Sequence, residues 1–129
     1  MSVQFLSEEF MAAANEALAG HEGFAAAISG VQLALQFNVT DLPEGDDVAY
    51  FIDVRDGAST AQLGEVDTAD VTVTNDYETA VGISTGELNT QMAFMTGKLK
   101  VSGDMAKLML NQAVINEMTR ALSEIDATY

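Results

Sequence analysis

The feature that most constrains the fold is an alternating run in the first third of the chain. Every second residue from Val31 to Val39 is apolar, and the residues between them are polar or small. A period of two is that of a β-strand, whose side chains point alternately to the two faces of a sheet. The run therefore predicts a strand with one apolar face, which requires partner strands and a covering layer.

Four further segments have the alternating or β-branched composition of strands. They are Val48–Arg55, Ser59–Gly64, Ala69–Thr74 and Lys98–Ser102. Asp56–Gly57 predicts a type I′ hairpin turn, because both central residues of that turn need a positive φ. Asp41–Asp47 has the composition of a longer turn. The first three strands are therefore expected to form an antiparallel meander.

The covering layer is predicted to begin before the first strand. Ser7 can cap a helix whose acidic first turn suits the positive end of the helix dipole, and Gly20 can end that helix. His21 then follows in a short connection, rich in small residues, that reaches Gly30.

The hydrophobic period changes after the fourth strand. Asn75 and Glu78 have the spacing of a capping box, which predicts a helix to about Thr85 with Gly86 as its stop. A second short helix is predicted over residues 89–97, opened by an asparagine and ended by a glycine.

A last helical region begins at Asp104, and Asn111–Gln112 can divide it into two helices. The patterns together predict one domain over residues 1–129. Its fold class is α+β, with a five-stranded, mainly antiparallel sheet covered by helices on one face.

Charge and composition exclude several functions. The 129 residues contain 20 acidic and five basic residues, a formal net charge of −15, which disfavours binding to nucleic acid and electrostatic docking to anionic membranes. No apolar run approaches the roughly 20 residues that span a bilayer. Cysteine is absent, so thiol chemistry and cysteine-based metal sites are excluded. No signal for secretion is visible at the N-terminus, and a cytoplasmic location is the default expectation.

Candidates for catalysis are few. Paired carboxylates such as Asp46 and Asp47 lie in predicted turns or at a helix start, where solvated negative charge is ordinary. Asp41, Glu44, Asp46 and Asp47 do not have the spacing of an EF-hand loop. His21 is the only histidine and is expected at the surface. No catalytic residue, metal site or cofactor is therefore predicted.

Methionine is concentrated in one part of the chain. Five of the seven methionines lie between Met92 and Met118, with Phe94 among them. The flexible, polarisable thioether can line a cavity for apolar molecules of varied shape. An apolar stripe at helical spacing more often simply fills a core. The spacing alone leaves both interpretations open.

The region from Gly30 to Gln112 resembles the sterol carrier protein 2 (SCP2) lipid-binding domain family. The most specific stretches are Asp76–Ala80 and Thr85–Met105, with two glycine-punctuated turns, a Gly-Lys-Leu-Lys strand and a Gly-Asp-Met helix start. The Gly30–Val31 strand start and the Asp56–Gly57 hairpin agree with the pattern.

The resemblance implies an apolar tunnel between a five-stranded sheet and its helices, which binds fatty acids, acyl-CoA, sterols or similar lipids without chemistry. It favours the cavity interpretation of the methionines. The expected lining residues are Phe37, Phe51, Ile52, Leu88, Met92, Phe94, Met95, Met105, Leu108, Met109, Ile115 and Met118. Phe51 and Ile52 are adjacent on one strand, so only one of them can face the helices.

Four of the five basic residues are Lys98, Lys100, Lys107 and Arg120. They could meet a lipid carboxylate or a CoA phosphate, but partners for nearby acids are the simpler interpretation. Two other functions stay open: a filled-core interaction or accessory module in lipid or quinone metabolism, and a small enzyme acting on a lipid-like substrate. The sequence names no protein partner.

Overall fold

The computed structural model describes residues 3–42, 47–85, 87–88, 90–125 and 127–128. The remaining residues include part of the predicted Asp41–Asp47 turn, with Glu44 and Asp46. They also include two predicted helix signals, Gly86 and Asn89. These predictions lie outside the described residues.

A five-stranded sheet forms one layer of the molecule. Its strands are β2 (Leu33–Thr40), β3 (Val48–Arg55), β4 (Ala58–Leu63), β5 (Val71–Asp76) and β6 (Lys100–Gly103). Their order is β4-β3-β2-β5-β6; β2 and β5 pair in parallel, and the other neighbours pair antiparallel. Two short strands, β1 (Val3–Gln4) and β7 (Ala127–Thr128), pair in parallel apart from this sheet. The predicted meander and mainly antiparallel sheet are confirmed.

Helices form the second layer, so the predicted α+β class is confirmed. They are α1 (Glu8–Ala19), α2 (Glu22–Ala27), α3 (Tyr77–Thr85), α4 (Thr90–Met95), α5 (Met105–Leu110) and α6 (Gln112–Ser123). Among the described residues, no helix is long and apolar enough to cross a membrane.

The register explains why one sheet face carries the core. Leu35 lies opposite Ile52 on one side and Val71 on the other, and all three are buried. Successive side chains alternate between faces, so the apolar set of each strand points the same way. This face packs against buried residues of α1, α3 and α6 in one cluster, for example Leu18, Ala80 and Val114.

The segment after His21 is a helix rather than the predicted connection. The Nδ1 atom of His21 accepts a hydrogen bond from Phe24 N at 3.0 Å and so caps α2. Phe24 and Ile28 are buried in the core. Three successive alanines have high helix propensity. Gly23 disfavours a helix, but the burial of Phe24 and Ile28 holds this short segment in place.

The cap of α3 lies one residue later than predicted. Asn75 and Asp76 still belong to β5, paired with Val39 and Thr40 of β2. Asp76 Oδ1 accepts the hydrogen bond from Thr79 N at 2.8 Å, so Asp76 rather than Asn75 satisfies the open helix end. Hydrogen bonds from the Thr79 side chain and backbone hold the pKa of Asp76 below its usual value, against partial desolvation.

Other predicted turns and caps are confirmed. Ser7 and Asp104 cap α1 and α5. Asp56 and Gly57 have φ values of 52° and 77°, as a type I′ hairpin requires. Asn111, with φ −116° and ψ 29°, separates α5 from α6.

Candidate lipid-binding pocket

An apolar pocket of about 200 Å³ lies between the apolar face of the sheet and the helices, partly open to solvent. Side chains from four adjacent strands form its floor: Leu35, Phe37, Tyr50, Val73, Asn75 and Val101. Tyr50, Phe37, Val73 and Val101 are consecutive partners across β3, β2, β5 and β6, so they form one row. The sheet register therefore fixes the floor.

Helix α6 supplies much of the opposite wall. Its lining residues Gln112, Ile115, Asn116, Thr119 and Leu122 recur every three or four positions, which places them on one helix face. Helix α3 adds Ala80, Ile83 and Ser84, the N-terminal segment adds Phe5 and Phe10, and Phe94, Leu99, Leu108 and Met118 complete the wall.

Aromatic contacts stiffen two parts of this lining. The rings of Phe37 and Tyr50 stack with centroids 4.8 Å apart and an interplanar angle of 9°. Phe5 and Phe10 meet edge to face at 5.0 Å. Burial raises the pKa of the Tyr50 phenol, so at neutral pH this side chain is an uncharged hydrogen-bonding group in the wall.

The polar lining is uncharged. Tyr50, Asn75, Ser84, Gln112, Asn116 and Thr119 border the pocket. Thr119 donates its hydroxyl hydrogen to Ile115 O at 2.9 Å, which leaves the hydroxyl less available to a ligand. In the described part of the chain, no charged side chain lines the pocket. The described walls of the site can therefore desolvate a hydrocarbon.

Five of the twelve expected lining residues border the pocket. They are Phe37, Phe94, Leu108, Ile115 and Met118. Ile52 lies on the same sheet face and is buried, but in the packed core beside the pocket. Phe51 points to the opposite face, opposite Gln36 and Gln62 in the register. Leu88 packs on Gly82 instead, and its backbone N–H donates to Gly82 O at 2.9 Å.

The remaining four expected lining residues are methionines that the structure places at the surface. Met92, Met95, Met105 and Met109 are 56%, 81%, 38% and 63% exposed. Helices α4 and α5 have six residues each. Ala93 of α4 is buried and Leu108 of α5 packs against the core, so the methionines of these helices lie on other sides. The cavity lining is therefore mainly aromatic and aliphatic, and Met118 is its one methionine among the described residues.

Several lining residues lacked a sequence signal that distinguishes them from core residues. Tyr50, Val73 and Val101 belong to the predicted alternating strands, so their face was predictable but their place beside a cavity was not. Phe5 precedes the first predicted helix and has no periodic pattern around it. Leu122 has the same helical spacing as buried core residues of its helix, so spacing could not place it beside a cavity.

The charged candidates lie outside the pocket. Lys107 Nζ binds Asp70 Oδ2 at 3.1 Å, and Arg120 lies 3.4 Å from Glu117. His21 lies 3.7 Å from Glu117. Among the described residues, no cluster of three or more histidine, aspartate or glutamate side chains could hold a metal ion.

Comparison with known proteins agrees with this geometry. The SCP-2 sterol transfer family matches residues 14–116, so the chain belongs to that family and the resemblance is confirmed. Sterol carrier protein 2 of Gallus gallus is 34% identical over 88 residues, 68% of this chain and 16% of that protein. The chain thus spans about a sixth of the length of this curated relative.

Solved structures share the fold. A crystal structure of sterol carrier protein 2 has a TM-score of 0.81 and 25% identity, covering 95% of this chain and 99% of that one. The solution structure of palmitated SCP2L2 from Aedes aegypti has a TM-score of 0.59 and 25% identity, covering 89% and 94%.

Proposed function

We propose that the chain is a non-catalytic lipid carrier that holds the apolar part of its ligand in the pocket described above. The observation that carries this proposal is an apolar, partly open pocket with uncharged walls between sheet and helices. Membership of the SCP-2 sterol transfer family supports it. We further propose that residues 1–129 form a single lipid-binding domain that acts in the cytoplasm.

Burial of hydrocarbon is the proposed source of affinity. An acyl chain that buries roughly 12 methylenes gains about 10 kcal/mol at ~0.8 kcal/mol each. Association costs on the order of 4–15 kcal/mol, which offset much of that gain. Micromolar to high-nanomolar binding with broad selectivity follows, without a strong polar anchor.

The proposed ligands are fatty acids, acyl-CoA, sterols or similar apolar molecules. A palmitated neighbour with the same fold supports an acyl chain as one occupant. Since the described pocket walls are uncharged, a carboxylate or CoA phosphate would remain outside, toward solvent. A continuous internal tunnel stays a prediction.

Filling the pocket tests the proposal. Thr119→Phe places a ring in the cavity wall, and Ala113→Phe places the same ring on an exposed position of the same helix. We expect displacement titrations with a fluorescent fatty acid to give saturable binding for the parent and Ala113→Phe. The affinity of Thr119→Phe should fall at least about tenfold, which corresponds to 1.4 kcal/mol.

The alternative is an interaction or accessory module that binds no lipid. The pocket volume of about 200 Å³ favours it, because ligand pockets typically measure roughly 300–1,000 Å³. It predicts no saturable binding at tens of micromolar ligand and no co-purifying lipid in native mass spectrometry. Either saturable binding or a retained lipid would reject it.

A further inference from the structure

The helices beside the pocket expose an unusual amount of apolar surface. We define the apolar rim as Met92, Phe94, Met95, Met105, Met109 and Leu110, which lie on α4 and α5. Met95 and Leu110 are 81% and 85% exposed. In the part of the chain that the structure describes, Leu63 on β4 is the only other large apolar side chain classed as exposed. Exposed apolar surface concentrated in this way marks an interaction site.

The apolar rim adjoins the pocket. Phe94 belongs to the rim and also lines the pocket, while Leu108 lines it between the rim residues Met105 and Met109. Leu99 and Val101, which connect α4 to α5 along the chain, line the pocket as well. The exposed apolar side chains of the rim are therefore continuous along the chain with residues that line the pocket.

The charge of this segment is opposite to that of the rest of the chain. Residues 90–110 contain three lysines and one aspartate, whereas the other residues contain 19 carboxylates and two arginines. Lys107 is paired with Asp70. Lys98 and Lys100 are exposed, and no ion pair of either is found among the described residues. Cations beside an apolar patch complement the phosphates of lipid headgroups.

We propose that the apolar rim docks onto a phospholipid bilayer, with its thioethers among the acyl chains and with Lys98 and Lys100 at the headgroup phosphates. The purpose of the docking rests on the proposed carrier function, but the docking itself is measured separately. A symmetric pair of chains is the poorer occupant, because the same lysines would face each other and two chains of charge −15 would meet.

Tryptophan reporters test the docking. The chain contains no tryptophan, so excitation at wavelengths that tyrosine does not absorb makes Met95→Trp the sole emitter. Leu63→Trp is the matched exposed position on the opposite edge strand of the sheet. Phosphatidylcholine vesicles, whose zwitterionic headgroups carry a phosphate but no net charge, should shift the emission of Met95→Trp to shorter wavelength and protect it from acrylamide. Leu63→Trp should not respond.

Charge substitutions provide the second measurement. Met95→Asp/Leu110→Asp should lower vesicle binding at least about tenfold in flotation, because two apolar side chains no longer leave water. Lys98→Glu/Lys100→Glu should weaken vesicle binding by a smaller factor than Met95→Asp/Leu110→Asp. That factor should grow as the salt concentration is lowered, because salt screens the lysine charges less. Neither pair lines the pocket, so displacement of the fluorescent fatty acid without vesicles should be unchanged.

The outcomes separate the two proposals. Normal fatty-acid binding without a vesicle response at Met95→Trp overturns the docking and leaves the carrier function standing. A vesicle response without fatty-acid binding supports the docking and overturns the carrier function. An emission shift that follows protein concentration without vesicles identifies self-association and overturns the bilayer as occupant.

Discussion

Asn15 joins helix α1 to the exposed edge of the sheet. Its Nδ2 group donates to Ala61 O at 3.0 Å, and its Oδ1 accepts from Ala61 N at 2.8 Å. Ala61 lies on β4, an edge strand, whose outward backbone groups have no partner strand. One side chain thus binds both backbone groups of a residue 46 positions away.

Asn15→Ala should destabilise the fold by about 2–3 kcal/mol, since it removes three hydrogen bonds that each contribute about 1 kcal/mol. Two of them join Asn15 to Ala61, and the third runs from Asn15 Nδ2 to Met11 O at 3.1 Å within the same helix. Urea unfolding monitored by circular dichroism measures the change. Gln62→Ala, at the exposed neighbouring position of β4, is the control and should change stability by less than about 0.5 kcal/mol. Equal urea midpoints for Asn15→Ala and the parent would contradict this role.

The methionines show what residue spacing leaves undetermined. Spacing identifies residues that share a helix face, as for Ile115 and Met118 on the 12-residue α6. On a six-residue helix, two methionines three or four positions apart fit a buried or an exposed face equally well. Met92 and Met95 have that spacing and are exposed. Which face of such a short helix meets the sheet depends on tertiary packing.

Asp70, directly before β5, connects that strand to β2 and α5. Its Oδ2 accepts from Ala34 N of β2 at 2.8 Å and binds Lys107 Nζ of α5 at 3.1 Å, while its backbone oxygen accepts from Asp104 N. Partial desolvation raises the pKa of Asp70. The hydrogen bonds from Ala34 and Lys107 and the charges of Lys107 and Arg55 together outweigh that effect, so the pKa is lowered.

This lowered pKa predicts a pH-dependent contribution to stability. The stabilisation is present above the unfolded-state pKa of about 3.9 and is lost as the pH falls through the lower folded-state value. Asp70→Asn should therefore destabilise the protein by about 1 kcal/mol at pH 7, and the difference from the parent should shrink toward pH 2.

Denaturant unfolding at a series of pH values measures the difference. Asp67→Asn, at an exposed position three residues earlier, is the control and should match the parent at pH 7 within about 0.5 kcal/mol. A difference for Asp70→Asn that is the same at pH 7 and pH 2 would show that the carboxylate charge is not responsible.

At the scale of elements, strands were more predictable than short helices. Each of the five sheet strands has an alternating or β-branched pattern, and each observed strand overlaps its predicted segment with ends that differ by at most two residues. The helix after His21 was missed because six residues show less than two turns of a helical period. The start of α3 was displaced by one residue because Asn75 and Asp76 are both good caps, and the pairing of β5 with β2 decides between them.

The whole molecule carries charges of predominantly one sign. A formal charge of −15 on 129 residues favours expanded states through self-repulsion, because expansion separates like charges. The Lys and Arg ion pairs of the described residues involve Arg55, Lys107 and Arg120, and five basic residues are too few to neutralise 20 carboxylates. Screening by salt should therefore stabilise the fold.

Sodium chloride should raise the melting temperature between 10 mM and about 0.5 M by roughly 3–8 °C, as expected for about 1–2 kcal/mol of relieved repulsion in a chain of this size. Differential scanning calorimetry measures the shift. The increase should level off above that concentration, because the screening length falls from about 30 Å at 0.01 M to about 3 Å at 1 M. A linear rise that continues to 2 M would indicate ion exclusion instead.

The parallel pairing of β2 with β5 has a kinetic consequence. The hairpins of β2, β3 and β4 connect neighbours along the chain, whereas β5 returns to β2 only after both other strands have intervened. Contacts between distant parts of a chain form slowly, since a long loop must close first. The pocket floor needs this late contact and its wall needs α6, so a newly synthesised chain completes the pocket only near the end of folding.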